Sequence, residues 1–145
     1  VIELAAALEA SGVAQFLKAS RWVYPLVNAG HILGIALLVG AVVPMDVAVL
    51  RGRAVAAVSL LRPWSLAGFV LAAVCGALLF VTQATEYVRS PWFLAKMGVL
   101  ALAVLNAAVH FRLDRFPPRQ RRQAAIGSLM LWPTALLLGR MIAYG

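Results

Sequence analysis

Cysteine is almost absent from these 145 residues: Cys75 is the only one. No internal disulfide can form, and there is no Cys-x-x-Cys for structural zinc or covalent haem. Acidic residues are nearly as scarce, with 5 Asp and Glu against 13 Lys and Arg. No P-loop, nucleophile elbow, zinc-protease signature or dinucleotide glycine loop occurs, so nothing marks a self-sufficient enzyme. Residues 1–20 also lack the basic start and continuous apolar core of a signal peptide.

What the chain has in abundance is apolar length. Hydrophobic residues make up 63 % of it, and the mean hydropathy is +0.91. Its length suits a single domain, here an integral membrane domain over 1–145 with no room for a large aqueous module. The net charge of +8 does not point to nucleic acid, because the arginines cluster in short loops between apolar runs, as topology signals do. They also suit anionic lipid headgroups.

The pattern predicts an all-α fold: a four-transmembrane-helix bundle behind a short amphipathic segment. Residues 1–20 divide at Ser11-Gly12 into two short pieces expected along the membrane surface. The first span covers about 22–50, with Pro44 as a kink. A loop through Arg51, Arg53 and Arg62 leads to a second span, about 63–88. Ser90-Pro91 is an N-cap followed by a proline at the first helical position, opening a third span to about 112. A double proline at 117–118 breaks the chain before the fourth span, about 123–143. Eight basic residues lie in the one–two and three–four loops and five at the other end. This expectation puts both termini outside a bacterial inner membrane.

The first span carries the chemistry. Ionisable groups at membrane depth are costly and count as functional candidates. His31 lies inside the run, and Tyr24, Asn28 and His31 share one face at +4, +3 spacing, continued by Gly34, Leu38, Ala41 and Met45. In an up-down bundle Gln83, Glu86, Lys96 and Arg140 reach the same level. The candidate cofactor-binding residues are therefore His31, Asn28, Tyr24, Gln83 and Lys96, with His31 also the candidate metal ligand. A single bis-histidine haem is disfavoured, since His110 lies roughly 13 Å deeper than His31 at 1.5 Å per residue. His110 reads as an interfacial side chain, and Lys96 as one that can snorkel. Asp46 is expected at the membrane surface, ionised, and paired with Arg51, Arg53 or Arg62.

The runs WVYPLVNAGHILGIALLVGAVVPMDVAVLRG and LLFVTQATEYVRSPWFLAKMGVLALAVLN resemble short bacterial four-helix membrane proteins defined only as a domain of unknown function. The shared pattern is Trp-x-Tyr-Pro, then His-x-x-Gly, an aspartate, an aromatic before Lys-Met, and an asparagine ten residues on. It covers roughly residues 3–112 and points to Tyr24, Pro25, His31, Asp46, Lys96 and Asn106. The chain departs from it at Asn28, where acidic residues are usual, and after Asp46, where an arginine is usual. The layout is also similar, distantly, to copper-resistance membrane proteins and small b-type cytochromes.

The functional expectation is a membrane subunit of an electron-transfer assembly, binding b-type haem or quinone near the outer surface through His31. The alternative is a cofactor-free accessory or scaffold subunit. Copper handling through His31 with Met97 or Met141 is a third reading. The partners expected are the lipid bilayer and a larger membrane or periplasmic protein.

Overall fold

The computed structural model describes residues 1–144. It is an all-α bundle in which four helices are long and apolar enough to cross a membrane. Two short helices come first, α1 (Ile2–Glu9) and α2 (Gly12–Ala19). Ser11 caps α2 by accepting from the Ala14 N–H at 3.3 Å. Ala5, Ala14 and Leu17 are buried because α1 packs on the short helix α5 and α2 on the long helix α4. The amphipathic segment is thus docked on the bundle rather than only on lipid.

The first span, α3 (Val23–Leu50), continues through both Pro25 and Pro44. The chain then reverses within three residues, Arg51 to Arg53, because Gly52 takes the left-handed φ of +73°. Arg53 N–H closes the turn on Ala48 O at 2.8 Å. The second span, α4 (Ala54–Thr82), therefore begins well before Pro63, not at it. Pro63 sits inside the helix, where its ring removes one backbone donor, and Ser65 bonds its hydroxyl to Arg62 O at 2.8 Å in the next turn.

The second span also ends earlier than expected. Gln83 leaves helical geometry at φ −142°, ψ 38°, and a separate helix α5 (Ala84–Arg89) follows. Glu9 makes that break possible. Its Oε1 accepts from the Thr85 backbone N–H at 2.9 Å and from the Thr85 hydroxyl at 2.8 Å, satisfying an amide freed at the start of α5. These two bonds, backbone first, hold the Glu9 carboxyl below its ordinary range.

The third span, α6 (Pro91–Val109), opens at Ser90, which accepts from Phe93 N–H at 3.3 Å. It stops short of 112, and a 3-10 turn at Leu113–Arg115 follows. The fourth span, α7 (Pro118–Met141), starts at Pro118 rather than near 123, because proline is well suited to the first helical position.

Small residues set the packing. Gly34 and Gly68 bring α3 and α4 into backbone contact, and a Cβ on Gly34 would stand 2.9 Å from Gly68 O. This is the close approach that small residues allow in membranes. On α6, Asn106 donates from Nδ2 to Ala124 O of α7 at 3.0 Å. Leu38, Val42, Ala103 and Trp132 form the central core, with Phe69 edge-on to Trp132 at 6.2 Å. In-plane order is α4, α3, α7, α6. Among the described residues the backbones of α4 and α6 do not pack on one another, which leaves a crevice between them. Rings bridge it at both ends: Phe80 stacks on Phe93 at 5.4 Å, and Arg62 lies 4.5 Å over the Phe111 ring.

Candidate functional site

At the α5 end the crevice widens into a cavity of about 770 Å³. All four spans contribute to it: Asn28 and His31 from α3, Gly76 and Leu79 from α4, Lys96 from α6, and Gly139 and Arg140 from α7, with Gln83 at the break that ends α4. Helix α5 adds Glu86, Tyr87 and Arg89. Phe80, Tyr87 and Phe93 stack at centroid distances of 5.3 to 6.1 Å and form an aromatic wall.

His31 is placed by two features of α4. Its Nδ1–H donates to Ala72 O at 2.7 Å. A carbonyl can only accept, so the neutral ring carries its proton on Nδ1 and its lone pair on Nε2. The ring lies against Gly76, where an added Cβ would stand 3.0 Å from Cε1 and 3.2 Å from Nδ1. Gly76 is therefore a seat for the imidazole. Among the described residues Nε2 has no partner, and it is not enclosed, so it stays open on the cavity side.

Lys96 does not stand out at the membrane surface. It is half-buried, and its tail lies along Gly139, with Nζ 3.5 Å from where a Cβ would be. The cavity thus holds one open imidazole acceptor, three cationic groups in Arg89, Lys96 and Arg140, the Glu86 carboxylate, two side-chain amides and an aromatic wall.

Of the sequence candidates, His31, Asn28, Gln83 and Lys96 meet in this cavity. Tyr24 does not. It lines an adjoining cavity of about 330 Å³ with Glu9, Lys18 and Thr85, sharing Gln83 and Glu86 with the first. The seven residues from Tyr24 to His31 carry it two turns, about 10 Å, along the helix. Burial, then neighbouring Tyr24 and Glu86, push the Tyr87 phenol up between these two spaces. For metal, His31 stands without companions: among the described residues no three His, Cys, Asp or Glu side chains converge. Met97 and Met141 are 44 % and 40 % exposed, and neither lines the cavity.

Asp46 departs furthest from expectation. It is 6 % exposed, and its Oδ2 has no hydrogen-bond partner among the described residues. Arg51 and Arg53 are exposed, and Arg62 is over Phe111, so the expected arginine pair does not form. Pro44 does not turn the carboxylate outward. Asp46 keeps the helical face of Val42 and Val49, both buried, and points into the bundle with them. His110 lies at that same end, its Nδ1–H on Asn106 O at 2.9 Å and its ring against Phe116 at 5.0 Å. The two histidines line different cavities.

Sequence reading missed the seat at Gly76, the Ala72 carbonyl and the aromatic wall. Gly68, Ala72 and Gly76 follow one another at +4 spacing in the sequence, so they share one small-residue face of α4. Fold and cavity together define a multi-pass membrane bundle with a polar, aromatic-walled cavity at one end. Comparison with protein families, curated proteins and solved structures gives no match.

Proposed function

We propose that this protein is a membrane subunit of an electron-transfer assembly that holds the headgroup of a prenylated quinone through His31. The observation that carries this reading is the fixed imidazole tautomer, with Nδ1–H committed to Ala72 O at 2.7 Å and Nε2 left as an acceptor. A quinol hydroxyl is a donor matched to that nitrogen. The oxygen at the far side of the ring is an acceptor matched to Lys96 or Arg140, and the amides of Asn28 and Gln83 add further donors. Phe80, Tyr87 and Phe93 offer flat apolar surface to the ring. The crevice between α4 and α6 gives an isoprenoid tail a lateral path into lipid.

A b-type haem is the second reading, and the same histidine favours it. A ligating imidazole commonly donates its other N–H to a backbone carbonyl, as His31 does. Lys96 and Arg140 suit haem propionates. The cofactor-free scaffold reading has its own support in α6, of whose apolar window only 6 % is buried. That face suits a larger membrane or periplasmic partner. The loop charges support an orientation with both termini, and so the His31 cavity, on the outer side of a bacterial inner membrane.

Solvent extraction and an oxidised-then-reduced optical spectrum of the purified protein separate these readings. The expected result is quinone retained by the wild type and lost from a folded His31→Ala variant. A Soret band in place of quinone selects the haem reading. A wild type with neither removes the cofactor and leaves the scaffold.

A further inference from the structure

We propose a second ligand site at the opposite end of the bundle, where Asp46 binds the ammonium group of a lipophilic organic cation whose apolar body lies along Phe69 and Trp132. Asp46 lines a cavity of about 320 Å³ shared by α3, α4, α6 and α7, within the range of small-molecule sites. The carboxylate is 6 % exposed and its Oδ2 is unpartnered among the described residues. A buried charge without a counter-charge costs several kcal/mol, so a carboxylate placed this way calls for a cation.

Among the described residues none pairs with it: His110 lines the cavity but commits its Nδ1–H to Asn106 O at 2.9 Å. Arg62 lines the cavity but lies over Phe111. Arg121 lines it too, but donates from Nε to Phe116 O at 2.7 Å and from a terminal nitrogen to Asp114 O at 3.0 Å. Ser128 on α7 is the polar neighbour of the carboxylate, and one hydroxyl satisfies one oxygen at most.

The walls decide the class of cation. A bare metal ion requires several oxygen ligands around a small space. Here the space is large, and Leu38, Val42, Leu66 and Val104 line it with the Phe69–Trp132 pair. Aromatic faces near a carboxylate recognise organic ammonium groups through cation–π attraction. Entry fits the same class. Arg62 and Arg121 repel a hydrophilic cation approaching past them, whereas Leu66 and Val104, 48 % and 37 % exposed, open toward lipid between α4 and α6.

Benzyltrimethylammonium and its uncharged isostere neopentylbenzene test the site. Binding of each to the full chain in nanodiscs is measured by equilibrium dialysis, with empty nanodiscs as the partition blank. The expected result is a wild type that binds the cation at least about tenfold more tightly than the isostere, and an Asp46→Asn variant that loses that preference. Equal cation binding by both proteins overturns the proposal, and so does a wild type that prefers the isostere or binds neither. Should Asp46→Asn fail to fold, the comparison of the two probes on the wild type decides alone.

Discussion

Adding one methyl group at Gly76 perturbs the imidazole seat without touching His31 itself. In Gly76→Ala the new Cβ would stand 3.0 Å from His31 Cε1 and 3.2 Å from Nδ1, tighter than ordinary carbon contact. The ring must give by a few tenths of an ångström, which strains the 2.7 Å bond to Ala72 O. Overpacking of this kind costs about 1–3 kcal/mol. An interhelical hydrogen bond within a membrane adds about 0.6 kcal/mol on average. Alanine recovers up to about 1 kcal/mol of helix propensity. The net expectation is a destabilisation of about 1–2 kcal/mol, together with less bound quinone, because the bond that fixes the Nε2 acceptor is strained. The matched control is Gly98→Ala on α6, where nothing lies within 4 Å of the added carbon. Both variants are unfolded reversibly in mixed micelles, and quinone retention is measured on the folded samples. The reasoning is refuted if Gly76→Ala matches Gly98→Ala in both stability and quinone content.

Gly34→Ala should be worse than Gly76→Ala, because its Cβ meets the backbone of Ala72 and Gly68, which cannot rotate aside; loss of folded protein in detergent chromatography checks this. Asn106→Ala removes the bond from α6 to Ala124 O and should cost about 0.5–1.5 kcal/mol, read by the same unfolding assay. The Glu9 carboxyl lies below its ordinary value of 4.5, first through the Thr85 backbone N–H and then through its hydroxyl. Its contribution to docking α1 is fully present above that ordinary value and is lost as pH falls through the lower, folded one. Proteolysis within residues 1–20 should therefore accelerate at acid pH in the wild type. Glu9→Gln should be cleaved faster at neutral pH and show little further acid response.

The four spans were legible because apolar length at membrane thickness is a strong signal, and the Ser90-Pro91 start was legible because cap chemistry is local. The α6 face of Lys96, Val99, Ala103, Asn106 and His110 could be read from its spacing, and each of these residues is at least half-buried. Pro63 misled, since a proline that usually marks a start is tolerated inside α4. The break at Gln83 was hidden because its stabilising partner, Glu9, is 76 residues away from Thr85 in sequence. Asp46 was misplaced for a related reason. Arginines close in sequence suggested a pair, whereas the helical face shared with Val42 and Val49 turns the carboxylate inward. At the candidate site, side-chain identity pointed to His31, Asn28, Gln83 and Lys96. The group that orients His31 is a backbone carbonyl, which no residue type encodes.

Photoaffinity labelling with an azido-quinone tests the quinone site most directly. Membranes holding the wild type are irradiated with the probe, with and without excess unlabelled quinone, and the labelled peptides are mapped. The expected result is competed labelling within 76–96, the stretch that carries Gly76, Phe80, Gln83, Tyr87, Phe93 and Lys96, and its loss in His31→Ala. Labelling confined to the Asp46 end, or labelling within 76–96 that persists unchanged in His31→Ala, contradicts a quinone site built on His31.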